Sequence, residues 1–333
     1  VPPLSDDERA GLARDRPVDV PDWVAGDIPE WLAPSFRRVF ADRTAIEGAA
    51  LARRAPVEVR VNTLKATREK VVKALTKFSA EPTRLSPLGV VMPPPTGAQR
   101  HPHVEAEPGH GKGWYEVQDE GSQIAALMAG AAPRRQVLDL CAGAGGKTLA
   151  FAATMHNTGQ VYAYAADPRQ LRPMFERLQR AGARNVQVLN GGDEAALTAL
   201  GLRFDVVVVD APCSGSGTWR RRPDSKWRLK PASLAQRIED QRKVLATARA
   251  MVKPGGRLVY VTCSVLAEEN TDQVAAFLTG APEFRLVPYA EAWRESIATE
   301  PPASADGRDD ALLLTPASHG TDGFYIATLA RAA

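Results

Sequence analysis

From Gln136 onward the chain alternates short apolar runs with helical periodicities, and that alternation leaves few folds open. "QVLDLC" runs into a glycine-rich turn, and "KTLAFAATM" follows with a helical pattern. "QVYAYAAD" precedes the helical "PRQLRPMFERLQRAG", and "NVQVLN" reads as a third strand. "FDVVVVDAPC" is a fourth, apolar throughout as expected of a strand covered on both faces. A long helix is predicted from about Leu234 to Val252, "GRLVYVTC" is a fifth strand, and "EENTDQVAAFLTG" makes another helix. Strand and helix in turn imply a doubly wound α/β sheet with parallel strands and right-handed crossovers. Ligands in such sheets sit beyond the carboxyl ends of the strands. The glycine turn, Asp167, Asp210, Cys213 and Cys263 all fall at or just after such ends.

The chain before Gln136 has a different texture. Residues 1–28 are polar and proline-rich and are expected to pack poorly. "EWLAPSFRRVF" gathers Trp31, Leu32, Phe36, Val39 and Phe40 toward one helical face, and "KATREKVVKAL" does the same with Val71, Val72 and Leu75. Between them "APVEVRVNTLK" alternates like a strand at Val57, Val59 and Val61. Residues 92–113, rich in Pro, Gly and His, read as a linker or mobile loop. The expected organisation is therefore a loose segment at 1–28, a small α/β domain with its linker at 29–113, and a catalytic domain at 114–333. No apolar run is long enough to span a membrane, and the start shows no export signal, so the expected compartment is the cytoplasm. The first residue is Val1 rather than Met, which reads as a trimmed start.

The stretch "DLCAGAGGKT", Asp139 to Thr148, comes close to two phosphate-binding loops and matches neither. A P-loop needs glycine six residues before its lysine, where Cys141 stands; a dinucleotide fingerprint needs a third glycine where Thr148 stands. The better reading is a nucleoside site without a pyrophosphate, as for S-adenosylmethionine. Its glycines let backbone approach the ligand, and Asp167, ending the second strand, accepts from ribose hydroxyls. Asp193, after the third strand, is placed to accept from an adenine amino group. The plain alternative is a tight turn.

The cysteines are three, Cys141, Cys213 and Cys263, too few and too spread for a disulfide framework or a zinc site. Taken singly each reads as a small buried hydrophobe. Two of them at neighbouring strand ends, with Asp210 close by, suggest chemistry instead. Methylation at cytosine C5 needs this set. A thiolate adding to C6 makes C5 nucleophilic, a hydrogen bond or proton at N3 from a group such as Asp210 stabilises the adduct, and a second thiol or a water assists its release.

"RVNTLK", "EVQDEGSQIAA", "LDLCAGAGGKT", "FDVVVVDAPCSGSGTWRRRPDSKW", "LVYVTCSVLAEEN" and "TDGFYIA", in that order, make the chain resemble the RNA cytosine-5 methyltransferases of the RsmB/Sun (Fmu) family from Pro29 to Ala330. The resemblance implies a Rossmann-like class I S-adenosylmethionine-dependent methyltransferase with a small N-terminal α/β RNA-binding segment. It implies that the cofactor lies against Cys141, Ala142, Gly143, Ala144, Gly145, Gly146 and Lys147, with Asp167, Arg172, Asp193 and Asp210 around it. It makes Cys263 the nucleophile and Cys213 the residue that assists product release, and it favours RNA over DNA, whose enzymes attack with the Pro-Cys cysteine. The implied substrate is ribosomal RNA of the 16S type, with transfer RNA as the alternative. Two departures are Ala144, where the family often has proline, and Val206, where it commonly has a basic residue. The helical RNA-binding domain that relatives of RsmB often carry at the N-terminus has no counterpart in these residues.

Basic residues supply the expected RNA contacts. "TWRRRPDSKWRLK" sets Arg220, Arg221, Arg222, Lys226, Arg228 and Lys230 against Asp224 alone, with Trp219 and Trp227 interleaved as core residues or stacking platforms. Arg60, Asn62 and Lys65 are read as an RNA-facing platform, against a bland role in surface solubility. Gln118, Asp119 and Ser122 either brace the cofactor crevice or cap the helix beginning near Gly121. The target cytosine must be single-stranded or flipped out, since C6 is out of reach inside a duplex. Competing readings are a non-catalytic RNA-binding or ribosome-assembly factor on the same fold, and a nucleotide hydrolase.

Overall fold

A computed structural model describes residues 3–13, 20–97 and 100–333, and among these it forms two sheets. The smaller takes β1 (Val57–Val61), β2 (Glu81–Pro82), β3 (Gly89–Met92) and β4 (Tyr115–Val117), in the order β2-β3-β1-β4 with every neighbouring pair antiparallel. The helix Arg68–Ala74 crosses between β1 and β2, and a short helix, Pro108–Gly111, precedes β4, so the unit reads βαββαβ. Thr67 starts the longer helix, its hydroxyl oxygen accepting from the Lys70 amide at 3.3 Å. Val59 and Val61 bury against Val71 and Leu75, as the alternation requires. The opposite face of β1 is buried too, for Glu58 and Arg60 point at the larger unit.

The larger sheet takes β5 (Gln136–Asp139), β6 (Gln160–Ala163), β7 (Val186–Val188), β8 (Phe204–Asp210), β9 (Val252–Thr262), β10 (Phe284–Val287), β11 (Leu312–Leu314) and β12 (Phe324–Arg331). The order is β10-β12-β9-β8-β5-β6-β7, with β11 also pairing β12. From β9 to β7 every pair is parallel, and β12 runs antiparallel between β9 and β10. The doubly wound α/β reading is what forms. The valines of β8 are buried on both faces. The chain leaves β5 toward β6 and returns to β5's other side as β8, so the crevice for a ligand opens between the ends of β5 and β8.

In the N-terminal third the packing departs from the sequence expectations in four places. Within 1–28, residues 1–2 and 14–19 lie outside the described residues, but Trp23 and Ile28 join the main core, so packing starts before Pro29. The helices Ala33–Phe40 and Thr44–Leu51 give Phe36, Phe40 and Leu51 to that same core, not to the small sheet, because their apolar faces meet Trp219 and its neighbours. Residues 92–113 are not all linker: Val104 is buried beneath Tyr115, whose hydroxyl donates to the Val104 carbonyl at 2.8 Å. The small sheet also takes its last strand from residues 115–117, beyond the boundary expected at 113. No helix among the described residues is long and apolar enough to cross a membrane.

Trp219 is 1% exposed and stacks on Phe36 with ring centroids 5.8 Å apart, joining the segment after the Pro-Cys motif to the N-terminal helices. Trp219→Ala is therefore expected to lower unfolding free energy by about 3–5 kcal/mol. Urea unfolding measures this, and a loss below about 1 kcal/mol would mean the seam collapses without cost.

Candidate active site

The glycine turn joins β5 to the helix Gly146–Thr154. Gly145 has φ +86°, and a Cβ there would stand 2.7 Å from the Met174 Cγ, so the turn needs glycine on both counts. Asp139, ending β5, is buried; the Thr148 hydroxyl donates to its Oδ2 at 2.6 Å, while Oδ1 has no partner. Burial pushes its carboxyl up to about 7, with the Asp210 charge adding and the Thr148 bond and Lys147 opposing. Lys147 is buried and donates to Asp210 Oδ2 at 2.7 Å and to the Ser122 hydroxyl at 3.1 Å. Its ammonium is thus committed to a carboxylate within the protein. Burial, then the Asp210 and Asp139 charges, pushes the Cys141 thiol up, so that sulfur stays neutral.

Two hollows meet at Cys141 and Asp210. The larger, about 560 Å³, has Leu140, Tyr164 and Leu197 on its apolar side and Asp167 and Glu194 on its polar side. The smaller, about 230 Å³, is lined by Gln118, Ser122, Lys147 and the turn residues Ala142, Gly143, Ala144 and Gly146. Gly145 is absent from that lining, since its amide donates to the Ala142 carbonyl at 2.9 Å. Asp167 caps the turn Pro168–Leu171 and pairs with Arg169 at 2.8 Å. That ion pair, then the Arg169 amide, holds its carboxyl below the usual range. Asp193 caps the helix Glu194–Thr198 through the Ala196 amide at 2.8 Å and stands one residue outside the lining. Arg172 opens the helix Arg172–Ala181 on the surface, also outside it. An apolar hollow with a carboxylate at the second strand's end, continuing past a glycine turn to a pocket with an orphaned buried carboxyl oxygen, fits a nucleoside carrying a cationic tail. Gln118 and Ser122 brace that pocket, while Asp119 caps the helix Glu120–Met128.

The ends of β8 and β9 bring Cys213 and Cys263 together, sulfur to sulfur at 3.4 Å. Their loops are zipped: the Gly217 amide donates to the Cys263 carbonyl at 2.9 Å, the Val265 amide to the Ser216 hydroxyl at 2.9 Å, and the Ser216 and Ser264 hydroxyls lie 3.0 Å apart. The hydrogen bond with Cys263, then burial, with Glu269 adding, pushes the Cys213 thiol well up. That shift favours the thiol form of Cys213, and in the contact between the two sulfurs either can be the donor. Behind it Glu269 is fully buried and accepts from the Ser214 amide at 2.7 Å, from the Ser214 hydroxyl, and from Gln241 Nε2 at 3.1 Å. Burial raises the Glu269 carboxyl against those bonds.

Most of the residues read as RNA contacts are committed elsewhere. Arg60 is buried and donates to Gln118 and to the Gly146 carbonyl at 2.7 Å, its pKa drawn down by burial to about 10. It buttresses the glycine turn. Asn62 is buried on the Gly113 and Ala181 carbonyls, each at 2.8 Å. Arg220 pairs with Asp322 and Asp119, and Arg221 with Asp322, Asp119 and Glu58. Lys226 is buried on the Asp27 carboxylate and carbonyl. All five thus have partners within the protein, acids for Arg220, Arg221 and Lys226 and carbonyl oxygens for Arg60 and Asn62, most of them remote in sequence. Lys65 is exposed, donating to the Arg180 carbonyl at 2.6 Å, and Arg228 makes a surface pair with Asp224 at 2.7 Å. Arg222 is exposed. Trp219 is core, whereas Trp227 is 60% exposed with the Lys226 ammonium 4.9 Å from its ring. Sequence reasoning passed over Asp139 and Glu269. The signals were an acid directly before the glycine turn and an acidic pair shortly after the second cysteine.

A family model described as 16S rRNA methyltransferase RsmB/F matches residues 126–330, and one described as an RsmF/B-like ferredoxin-like domain matches residues 28–98. The chain is 31% identical over 314 residues to the probable ribosomal RNA small subunit methyltransferase B of Synechocystis sp., covering 92% of this chain and 67% of that protein. It is 32% identical over 301 residues to ribosomal RNA small subunit methyltransferase B of Sodalis glossinidius, covering 88% of this chain and 68% of that one. NSun6 from Pyrococcus horikoshii, solved with SFG, superposes with a TM-score of 0.78 over 92% of this chain and 99% of its own, at 22% identity, a likeness of fold.

The buried carboxyl of Asp139 gives a pH signature. Its folded-state pKa near 7 exceeds the unfolded value of about 3.9, so the folded protein binds more protons between the two. Relative to Asp139→Asn, the native protein should lose stability as pH rises from about 4 to about 7 and then level off. Urea unfolding of both proteins across that range checks the sign, and a pH-independent difference would mean the carboxyl is ionised throughout.

Proposed function

The chain belongs to the RsmB/F family of 16S rRNA methyltransferases, and from that membership we propose that it methylates C5 of a cytosine in small-subunit ribosomal RNA in the cytoplasm, with S-adenosylmethionine as methyl donor. The observation that carries the reading is the pair of thiols 3.4 Å apart just past the ends of β8 and β9, with Asp210, the last residue of β8, paired to Lys147. Asp167 takes the ribose hydroxyls, Tyr164 and Leu197 flank the base, Asp193 and Arg172 stand at its rim, and Cys141 to Lys147 face the amino-acid end. SFG, an S-adenosylmethionine analogue bound by the structurally similar NSun6, supports the same cofactor. When bound, S-adenosylmethionine supplies the methyl group that ends on C5.

The rest is the work of the chain's own residues. Cys263 adds as thiolate to C6; the sulfur–carbon bond forms and the C5–C6 π pair makes C5 nucleophilic. The proton that N3 needs as charge develops there comes from the Lys147 ammonium through Asp210, to which it is hydrogen-bonded, and returns to that pair when the C5–C6 double bond re-forms. Once C5 carries the methyl, its hydrogen leaves as a proton to water, the C5–C6 double bond re-forms, and Cys263 departs as thiolate. Cys213, held as a thiol, donates its S–H to that departing sulfur.

With small-subunit rRNA and radioactive cofactor, Cys263→Ser should lose both methylation and the denaturation-stable adduct, by roughly 10³-fold or more. Cys213→Ala should still form the adduct and accumulate it on a denaturing gel. Methylation surviving in Cys263→Ser would remove the nucleophile assignment; bisulfite sequencing of RNA from cells with and without the gene names the cytosine. Arg222, Arg228, Lys65 and exposed Trp227 remain the RNA-facing residues of the proposal. Arg222→Ala should weaken RNA binding and reduce the slope of log affinity against log salt by about 1. Titration at several salt concentrations measures it, and an unchanged slope would place Arg222 off the phosphate path.

A further inference from the structure

Glu269 has no part in the steps above, yet it is one of the most completely enclosed acids in the protein. It lies six residues after Cys263, in the turn Ala267–Glu269, and its carboxylate reaches across to the loop of Cys213. Its two oxygens take the Ser214 amide at 2.7 Å and the Ser214 hydroxyl. Gln241 Nε2 bridges the same carboxylate, at 3.1 Å, to the Pro212 carbonyl at 3.0 Å. Both chain neighbours of Cys213 are thereby tied to one carboxylate. That carboxylate is in turn fixed from the Cys263 side, because the Tyr260 hydroxyl donates to the Glu269 carbonyl at 2.7 Å and the Glu269 amide donates to the Leu266 carbonyl at 3.1 Å. The separation of the two sulfurs is thus gauged through Glu269.

We propose that Glu269 is the positioning residue that aims the Cys213 thiol at the Cys263 sulfur for release of the methylated product. The inference rests on the reading of Cys213 given above. Of the two thiols, adduct formation needs only Cys263, whose strand end is held by β8 and β12. Release needs the Cys213 S–H in reach of the departing sulfur, and displacement of a reacting group by about 1 Å costs up to about a hundredfold. Removing the carboxylate should therefore slow release and spare addition. A residue that only stabilised the fold would slow both together or neither.

The test is a single-turnover experiment with the full chain, S-adenosylmethionine and a small-subunit rRNA transcript containing the methylated cytosine. It follows the rate at which the denaturation-stable adduct appears and, separately, the rate at which preformed adduct decays to methylated RNA. Glu269→Ala is expected to slow decay by on the order of tenfold to a hundredfold, with appearance within about threefold of the native protein. Glu269→Gln, whose remaining carbonyl oxygen still accepts from the Ser214 amide and Gln241, should restore decay to within about threefold. Native decay in Glu269→Ala, equal slowing of appearance and decay, or failure of the Gln variant to restore decay would each overturn the proposal. Should the Ala variant not fold, Gln241→Ala takes its place, with decay slowed several-fold and appearance unchanged, and the same results count against it. Cys213→Ala runs alongside. If that variant does not trap adduct, the reading of Cys213 falls whatever Glu269 does; if it traps adduct and Glu269→Ala does not, only the role of Glu269 falls.

Discussion

Arg220 and Arg221 meet Asp119, Asp322 and Glu58 in a buried cluster on which the site's geometry depends. Four remote stretches converge there: β1, the start of the helix Glu120–Met128, the segment after the Pro-Cys motif, and the turn before β12. Burial raises the Glu58 carboxyl, with Asp119 adding. Burial works on Asp119 in the same direction, but the Glu58 hydrogen bond and the two arginines prevail and keep it charged. Burial raises the Asp322 carboxyl as well, with Asp119 adding and the two arginines opposing, so two guanidinium groups face three crowded acids. Such a cluster adds little net stability compared with apolar packing, but losing one member strands a buried charge at a cost of about 3–5 kcal/mol. It ties the segment after Cys213 to the small sheet and to the turn before β12.

The core of the fold was legible because each cue was local. Four consecutive valines in β8 announce a strand covered on both faces, and a glycine turn between an apolar run and a helical pattern announces the first crossover. β10, β11 and β12 gave no such cue. β12 draws its identity from antiparallel pairing with β9, some seventy residues earlier in the chain. The N-terminal helices misled for a related reason. Periodicity showed that Phe36 and Phe40 share an apolar face, but not that Trp219 would be what covers it.

The site divides the same way. Parallel neighbours must end side by side, so a cysteine after each of two successive strands was enough to expect the sulfurs to meet. The partners of the basic run after the Pro-Cys motif were not legible because a cation looks free until its acid is found. Asp322 lies about a hundred residues beyond Arg220, and Asp27 about two hundred before Lys226. Asp139 and Glu269 went unassigned because an acid's importance here lies in its burial and in the donors that converge on it, neither of which appears in a linear chain.

Val117 ends β4 and Asp119 caps the next helix, so at this crossing Gln118 alone joins the two units, while the earlier crossing runs from Leu51 to Val57. Gln118 itself accepts from Arg60 and donates to Ser122. A hinge needs a few residues free to absorb changes of backbone angle, and this crossing offers only one. The small sheet and the catalytic crevice thus behave as one anvil. A load applied to the small sheet is therefore passed through Gln118 and Arg60 directly to the glycine turn.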